Sequence, residues 1–395
     1  MKILIVCQHY YPDPFRITDV AENFVKQGHE VFVLAGEPSY ERESWLKEGG
    51  KVDEVRNGVK VHRVKTVPRG KGVIRRVRNY YSYAINSKRY VKKLDKDFDV
   101  VFVYELSPIM MAEAAIKYKK KYGTKIVLYC LDLWPESLLV SRIKKNSLIY
   151  KYYHRLSNRI YSACDDIAIT SELFRKYFVE EFNYSIRHIH YLPQYAEDLF
   201  QTEAKNSLCE GNEDRYVFVF AGNIGKLQSV ETIVKAARIL QGNNNISFKI
   251  IGDGVSLSDC KKEAAGLSNI DFVGRKPVEE MPSYYNEASA MLVTMIDKDV
   301  VNYVMPGKVQ SYMAAGKPII GAIGGETKLV VQSAQCGYCC DGEDYVALSN
   351  NIMKFIEEGK EVRKQMAINA KKYYDDNFTK TIFYDRLFKV IKEEK

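Results

Sequence analysis

The same order of strand, loop, helix and strand opens both halves of this 395-residue chain. In the first half, an apolar strand at Lys2–Cys7 precedes a helix at Ile17–Lys26 and a second strand at Glu30–Leu34. A strand at Tyr216–Phe220 and a helix at Val230–Leu240 repeat this order, and the apolar residues of that helix recur at helical spacing. Apolar strands that alternate with helices are typical of parallel sheets covered by helices. We therefore predict an α/β protein with two similar domains.

A chain of this length can form two domains with separate cores. We place the domain boundary near Leu192–Gln201, and a second crossing near Asp375–Phe378. The first domain then comprises residues 1–195 with the C-terminal segment 378–395, and the second comprises residues 196–377.

Glycine recurs at four places in the second half where a strand ends or a helix begins. From these turns we assign the following residues to a ligand: Gly222, Asn223, Gly225, Gly252, Asp253, Gly254, Arg275, Lys276, Pro306, Gly307 and Lys308. Backbone N–H groups at such turns favour an anion, and Lys308 adds a positive charge. One glycine turn is a weak signal, because glycine also lets helices pack closely on sheets, and the last turn alone could be a capped surface helix. Four in succession predict one long, phosphate-bearing ligand across the carboxyl ends of a parallel sheet.

Several segments resemble the donor-binding half of glycosyltransferase family 4, a family of retaining enzymes with the GT-B fold. They are FAGNIGKLQSVETIVKAARIL, IIGDG, DFVGRKPVEEMPSYYNEA and MPGKVQSYMAAGKPII. The resemblance continues in the first half through KILIVCQHYYPDP, QGHEVFVLAGEPSY and LYCLDLWPES, so it covers nearly the whole chain. It implies two Rossmann-like parallel-sheet domains that face each other across a cleft. The last helix, predicted at Thr379–Lys392, would return to the first domain.

The resemblance also implies an activity. Relatives of this kind transfer an amino sugar, such as a HexNAc, from a UDP-sugar donor to a polyprenyl-diphosphate-linked saccharide in bacterial O-antigen (lipopolysaccharide), capsule or exopolysaccharide synthesis. The nucleotide sugar is a substrate, and no metal ion or other cofactor is implied. The second domain would bind the donor and the first would bind the acceptor.

Some positions depart from the family pattern. Tyr303 and Ser311 stand where many members carry a Glu-x₇-Glu pair that contacts the donor sugar and the nucleotide ribose. Asn223 and Gln228 align with the Arg and Lys that commonly clamp the diphosphate. Lys308 and Lys226 could supply the missing positive charge. We therefore add Lys226, Gln228 and Ser311 to the predicted donor site.

The segment Asp132–Ser137, DLWPES, follows a predicted strand end and contains the candidate catalytic residues. A carboxylate of Asp132 or Glu136 could orient or deprotonate an acceptor hydroxyl, and Trp134 could pack on a sugar face. The alternative is that Asp132 caps a helix ahead of Pro135 and that Trp134 lies in the core. The catalytic interpretation depends largely on the family resemblance. In the first loop, we assign the acceptor to His9, Tyr10, Tyr11 and Phe15.

The basic charge is concentrated in the first half. Residues 1–195 contain 34 Lys and Arg against 22 Asp and Glu, and the segment from Val55 to Leu94 has no acidic residue at all. Basic residues interleaved with valine, isoleucine and tyrosine suit the anionic inner face of a cell membrane, for which we select Arg75, Arg76, Arg78, Lys88 and Arg89. One alternative is that the segment is a helix face exposed to solvent. Binding to nucleic acid is a weaker alternative, because no nucleic-acid-binding motif accompanies the segment.

Other features narrow the class of protein. No stretch approaches the apolar length of a membrane span or a signal peptide, and the C-x-x-C of Cys336 and Cys339 has no second pair at zinc spacing. We therefore predict a reduced cytoplasmic protein, peripheral to the membrane, without a metal site and without a nucleic-acid partner. Two alternatives to a transferase remain open, a nucleotide-sugar epimerase of the same fold and a non-catalytic nucleotide-sugar-binding protein. The oligomeric state stays undetermined at this stage.

Overall fold

The computed structural model describes residues 1–70, 72–141, 143–202 and 215–392. The chain divides into two compact units, one formed by Met1–Leu192 with Leu387–Lys395 and the other by Pro193–Arg386. The chain therefore leaves the first unit after residue 192, against a predicted boundary after residue 195. It re-enters that unit at residue 387, inside the last helix, against a predicted residue 378.

A largely parallel sheet forms the centre of the first unit. Its strands are β1 (Lys2–Val6), β2 (Glu30–Gly36), β3 (Asp53–Arg56), β4 (Val59–Val64), β5 (Val100–Glu105), β6 (Lys125–Cys130), β7 (Asp166–Ile169) and β8 (Ile189–Tyr191). The strand order is β3-β4-β2-β1-β5-β6-β7-β8. All neighbours pair in parallel except the β3–β4 hairpin, so β1, β5 and β6 end at the same edge.

The helices of the first unit cover this sheet. They are α1 (Ile17–Lys26), α2 (Arg42–Lys47), α3 (Val73–Tyr90), α4 (Glu113–Tyr122), α5 (Leu148–Tyr161) and α6 (Glu172–Phe182). Helix α1 buries Ile17, Val20, Ala21 and Phe24, which lie on one face because they are three or four residues apart. The ring of Phe24 packs edge-on against Phe388 at a centroid distance of 5.5 Å, so the end of the chain joins this core.

A second sheet, parallel throughout, forms the centre of the other unit. Its strands are β9 (Tyr216–Ala221), β10 (Ile246–Ile251), β11 (Ile270–Gly274), β12 (Ala290–Thr294), β13 (Ile319–Ala322) and β14 (Gly337–Cys340). The strand order is β11-β10-β9-β12-β13-β14. The helices are α7 (Leu199–Thr202), α8 (Glu231–Ile239), α9 (Leu257–Glu263), α10 (Met281–Glu287), α11 (Asp299–Asn302), α12 (Lys308–Ala314), α13 (Gly325–Ala334), α14 (Tyr345–Glu357) and α15 (Lys360–Asn377). The last helix, α16 (Lys380–Lys392), begins in this unit and ends in the first one. Among the described residues, none of these helices or those of the first unit has both the length and the apolar character of a bilayer span.

A buried carboxylate joins the three strands β6, β7 and β8 at one side of the first sheet. Asp166, at the start of β7, contacts Lys125 Nζ at 2.8 Å, His190 Nε2 at 3.0 Å and His188 Nδ1 at 3.1 Å. Burial alone would raise the pKa of Asp166, but the hydrogen bonds from His190, Lys125 and His188 outweigh burial and hold it well below its usual value.

We expect Asp166→Asn to lower the free energy of unfolding by about 3 kcal/mol at pH 7, because it removes the carboxylate that pairs with the largely buried Lys125 ammonium. Since the folded pKa of Asp166 lies below the unfolded one, its contribution is complete above pH ~4 and is lost as pH falls further. Urea unfolding at pH 7 and at pH 3 should therefore show a difference from wild type that shrinks at pH 3. The exposed Asp341→Asn is the control. An equal difference at both pH values would contradict the assignment.

Candidate functional site

The turn after β9 begins at Gly222, and this position requires glycine. Its backbone has a positive φ of 143°, which is strained for any residue with a side chain. A Cβ atom here would also lie 2.6 Å from Lys308 Nζ. The absence of a side chain at residue 222 thus lets the lysine reach the turn.

The turns after β9 and β10 pack together as one structure. Backbone hydrogen bonds run from Gly222 N to Ile251 O at 2.9 Å and from Ile224 N to Asp253 O at 2.8 Å. A Cβ at Gly252 would fall 1.8 Å from Gly222 O, and one at Gly254 would fall 2.3 Å from Ile224 O. The predicted glycine turns therefore lie next to each other because backbone packs directly on backbone.

Helix α12 brings Lys308 to these turns, and Tyr312 fixes the helix in place. The Tyr312 hydroxyl accepts a hydrogen bond from Ala221 N and donates one to Ala221 O, both at 3.1 Å. Lys308 lies one helical turn before Tyr312, on the same face of α12. Its Nζ lies over the Phe220 ring, 3.8 Å from the centroid.

The Lys308 ammonium has no anionic partner at this place. Nζ is sealed from solvent and has no hydrogen-bond partner among the described residues. Burial lowers the pKa of Lys308 from 10.5 to about 7. In the adjacent turn, the main-chain N–H groups of Asn223 and Gly225 also have no hydrogen-bond partner among the described residues. The turn therefore presents donors and a cation that an anion could satisfy.

The remaining donor residues occupy the sides of this turn. Asn223 Nδ2 donates to Gln228 Oε1 at 3.1 Å, and a Cβ at Gly225 would collide with both side chains. Lys226 is exposed beside them. Asp253 turns back to accept the Gly254 N–H at 2.7 Å.

Three further predicted residues have other contacts. Arg275 is exposed after β11, and Lys276 pairs with Glu280 at 3.8 Å. Ser311 Oγ lies 3.5 Å from a carboxylate oxygen of Glu197. Sequence analysis missed Glu197, because no motif surrounds it and its partner is 114 residues away.

In the first unit, Asp132 belongs to a small hydrogen-bonded group at the carboxyl ends of β5 and β6. Its Oδ2 accepts the Ser107 hydroxyl proton at 2.7 Å, and Ser107 Oγ accepts Trp134 Nε1–H at 2.9 Å. Trp134 is 6% exposed and packs edge-on against the Tyr153 ring at 5.3 Å. The predicted packing of Trp134 on a sugar face is therefore wrong for this conformation, because protein atoms already cover the ring.

Glu136 has a different environment from Asp132. It is 3% exposed, and its Oε1 accepts hydrogen bonds from the hydroxyls of Tyr150 at 2.6 Å and Tyr177 at 3.3 Å. Lys145 Nζ lies 3.5 Å from the same oxygen. These contacts use the carboxylate to join helices α5 and α6, so we do not retain Glu136 in the proposed chemistry.

The loop after β1 contains the other predicted acceptor residues. Tyr10 is 1% exposed and belongs to the core, so its predicted contact with an acceptor is wrong because the ring is out of reach. The Tyr11 ring lies under the Arg56 guanidinium at 3.3 Å. Phe15 stacks on His9 with ring centroids 5.1 Å apart, and His9 Nδ1 lies 2.9 Å from an oxygen of Asp13.

Family comparisons agree with the two-unit division. Residues 16–194 match the domain described as Glycosyltransferase Family 4, and residues 204–373 match the domain described as Glycosyl transferases group 1. In the described residues, no group of three or more His, Cys, Asp and Glu side chains could hold a metal ion.

Individual proteins that are similar to this chain include glycosyltransferases. WbjE of Pseudomonas aeruginosa, named as a glycosyltransferase, is 28% identical over 246 residues, and the match spans 60% of each chain. WcaI of Escherichia coli K12, named for colanic acid biosynthesis, is 22% identical over 80% of this chain and 82% of its own length. Anabaena HepE, solved in complex with UDP and glucose, is similar over the whole of both chains, with a TM-score of 0.70 and 12% identity, which shows the fold alone.

These matches cover most of the chain, and the fold of both units agrees with them. The protein therefore belongs to the family 4 glycosyltransferases and has the GT-B fold, with a Glycosyltransferase Family 4 domain followed by a group 1 glycosyl transferase domain.

Proposed function

We propose that this enzyme transfers a sugar from a UDP-sugar donor to a lipid-linked saccharide during bacterial surface polysaccharide synthesis. The observation that carries the proposal is the sealed, unpartnered ammonium of Lys308 beside the Gly222–Gly225 turn. A diphosphate would accept hydrogen bonds from the free N–H groups and neutralise the lysine. The same contacts would strengthen as the sugar–phosphate bond breaks and negative charge develops on the leaving group.

The nature of the substrates rests on similarity. HepE was solved with UDP and glucose, and WcaI is named for colanic acid biosynthesis. The family pattern adds a HexNAc or related amino sugar as the transferred group, and a polyprenyl diphosphate as the lipid carrier. We propose that the transfer needs no metal ion, because Lys308 can supply the positive charge that a metal would provide to the diphosphate.

On the acceptor side, we assign Asp132 to orient the acceptor. The hydrogen bond from Ser107 fixes its carboxylate at the carboxyl end of β6, where the parallel strands present their loops. A carboxylate held in this way can accept a hydrogen bond from a sugar hydroxyl.

A panel of nucleotide sugars incubated with a polyprenyl-diphosphate-linked saccharide tests the activity. Release of UDP together with an elongated acceptor supports the transferase. Conversion of the donor to an isomer without acceptor would indicate an epimerase instead. Saturable donor binding without either product would indicate a non-catalytic binding protein.

Lys308→Met should change stability and donor binding in opposite directions. Methionine fills the same volume without a buried charge, so we expect the unfolding free energy at pH 6 to rise by about 1–3 kcal/mol. Affinity for UDP, measured by calorimetry, should fall by about 1.5–3 kcal/mol, the range for a hydrogen bond to a charged group. The exposed Lys226→Met is the matched control for stability. Unchanged UDP affinity in Lys308→Met would remove this lysine from the site.

Wild type and Lys308→Met should differ in how their stability and their UDP binding depend on pH. The folded pKa of Lys308, about 7, lies below the unfolded value, so the buried charge costs most stability below pH 7. The stability gain of Lys308→Met should therefore shrink as pH rises from 7 to 10. UDP binding by wild type should weaken above pH 7, because the neutral amine must first take up a proton. If the stability gain of Lys308→Met does not depend on pH, Lys308 is not a buried charge in the protein without donor.

We also propose that the first unit docks on anionic membrane through the start of α3. Val73, Ile74 and Val77 are 66%, 78% and 38% exposed, and Arg75, Arg76 and Arg78 are exposed between them. Three arginines in and beside the first turn oppose the helix dipole, and no acidic residue compensates for them there. An anionic surface would supply that compensation.

The basic segment is less uniform than its sequence indicates. Arg63 is 2% exposed and paired with Glu54, so it cannot reach a membrane. Lys88 pairs with Glu113, and Arg89 contacts Asn86, both toward the far end of α3. Lys71 lies outside the described residues. We therefore restrict the docking surface to the beginning of the helix.

Helix α5 extends this surface with residues that no motif marks. Leu148, Ile149 and Tyr152 are 84%, 55% and 55% exposed. The hydroxyls of Tyr81 on α3 and Tyr153 on α5 are 3.2 Å apart. Lys88 and Arg159, near the C-terminal ends of the two helices, both pair with Glu113, so the two N-terminal ends lie on the same side. We therefore propose that the exposed apolar side chains at the starts of both helices face the same membrane, together with the exposed Lys144 and Lys151.

Replacing Arg75, Arg76 and Arg78 with Glu should abolish sedimentation with anionic liposomes at 0.1 M salt. Wild-type binding should weaken toward 1 M salt, where the Debye length shrinks to ~3 Å. Because acidic residues favour a helix N-terminus, the variant should remain folded, and donor turnover with a soluble acceptor should survive. Charge reversal of the exposed Lys261, Lys262 and Lys298 changes the net charge equally and should leave binding intact. Equal sedimentation of both variants would refute the docking surface.

A further inference from the structure

We propose that a proton on the buried acid Glu105 holds the segment of residues 131–134 closed, and that loss of this proton opens the segment. Glu105 is the last residue of β5, is 0% exposed, and pairs with Cys130 of β6 in the sheet register. No motif marks it in the sequence, and the proposed function does not use it. Because the acid and the segment both belong to the first unit, this device does not depend on the transfer reaction.

The carboxyl group of Glu105 has no partner that could balance a negative charge. Both of its oxygens are sealed from solvent and have no hydrogen-bond partner among the described residues. The Cys130 thiol would favour the charged form, but a thiol is a weak donor and its Sγ already lies 3.4 Å from Asp132 O. An ionised carboxylate in this place would therefore lose its hydration without compensation.

The groups that surround Glu105 make its ionisation still less favourable. Asp132, in the loop after β6, acts on Glu105 with a charge of the same sign, and no lysine, arginine or histidine of the described residues opposes it. Tyr161 on α5 and Cys164 in the turn after α5 also face the acid, and burial raises the pKa of both groups, so they stay uncharged. Burial and then the charge of Asp132 raise the pKa of Glu105 well above its usual value.

The backbone of the 131–134 segment is attached to two elements that enclose Glu105. Leu131 N donates to Glu105 O at 3.0 Å, and Trp134 N donates to the Tyr161 hydroxyl at 3.3 Å. The charge of Glu105 acts on that same hydroxyl. Exchange of these two N–H groups with water therefore reports whether the segment is closed over the acid.

The side chains of the segment place it between the acid and solvent. Asp132 is partly exposed and accepts the Ser107 hydroxyl proton, whereas Glu105, on which its charge acts, is fully buried. Trp134 is 6% exposed and donates to the same Ser107 oxygen. Displacement of the segment would thus bring water to Glu105 and move a like charge away from it.

The position of the segment and the charge of Glu105 are therefore coupled. In the open form, the hydrated carboxyl has its ordinary pKa of about 4.3, so its O–H bond breaks and the proton passes to water above that pH. The closed form keeps the proton to a higher pH, so each pH unit between the two pKa values favours the open form about tenfold. Because Asp132 and Trp134 lie on the segment, the proton on Glu105 would control the position of both side chains.

Hydrogen exchange of the full chain, followed by mass spectrometry of peptides that contain residues 131–134, tests the coupling. When reclosing is faster than exchange, the observed rate divided by the intrinsic rate of an unstructured peptide gives the opening constant. In wild type, this constant should rise about tenfold per pH unit between pH 5 and pH 7. Glu105→Gln and Glu105→Met cannot ionise, so the opening constant of each should be the same at both pH values.

Two controls separate this device from general effects of pH. Glu180→Gln removes an exposed carboxylate of α6 and should keep the wild-type rise. The amides of β1, at the centre of the same sheet, should stay protected at both pH values. The apolar Glu105→Met gives a second measurement if the buried amide of Glu105→Gln prevents folding.

Three results would refute the role of Glu105. A rise that persists in both Glu105 variants would assign the pH dependence to another group. An opening constant of wild type that does not change with pH would show that the acid and the segment are not coupled. An equal rise in β1 would show that only global unfolding exposes Glu105. The proposed function has its own test in the release of UDP, which none of these results affects.

Discussion

Parallel pairing of the strands is the constraint on which both candidate sites depend. In a parallel sheet, every strand points its carboxyl end to the same edge, so loops far apart in sequence meet there. In the second unit, this edge brings residues 222 and 252 into backbone contact, and α12 adds Lys308. In the first unit, it collects the loops that contain His9, Ser107 and Asp132. The chemistry of each site thus follows from which polar residues end each strand.

The isolated lysine shows how the fold maintains a costly charge. A buried cation without a partner is unfavourable. The two hydrogen bonds between Tyr312 and Ala221 fix α12 against β9, which keeps the backbone of Lys308 next to the Gly222 turn. The Phe220 ring offers the ammonium its one favourable contact among the described residues, through the negative face of the ring. Much of the site's affinity for an anion would come from removing this unfavourable state.

The elements of the fold could largely be predicted from sequence periodicity, whereas several side-chain roles could not. Helix α1 has the predicted bounds, and α8 differs from its prediction by one residue at each end. The glycine turns were found because glycine marks close backbone approaches. By contrast, the burial of Tyr10 and Trp134 and the use of Glu136 in helix packing depend on contacts distant in sequence. Asp13 was missed for the same reason, since its partners at residues 39–41 belong to another loop.

The two sites use opposite physical designs, and each design suits its proposed substrate. The proposed donor site leaves the buried Lys308 ammonium without a hydrogen-bond partner among the described residues, so an incoming diphosphate would supply an interaction that the chain does not. In the proposed acceptor site, Asp13 accepts several hydrogen bonds, and its contact with His9 fixes the direction of that ring. A neutral sugar hydroxyl brings little binding energy of its own, so precise orientation of hydrogen-bonding groups would matter more there than excess charge. An unpaired charge of either sign in that site would instead bind water or ions more strongly than it binds a sugar hydroxyl.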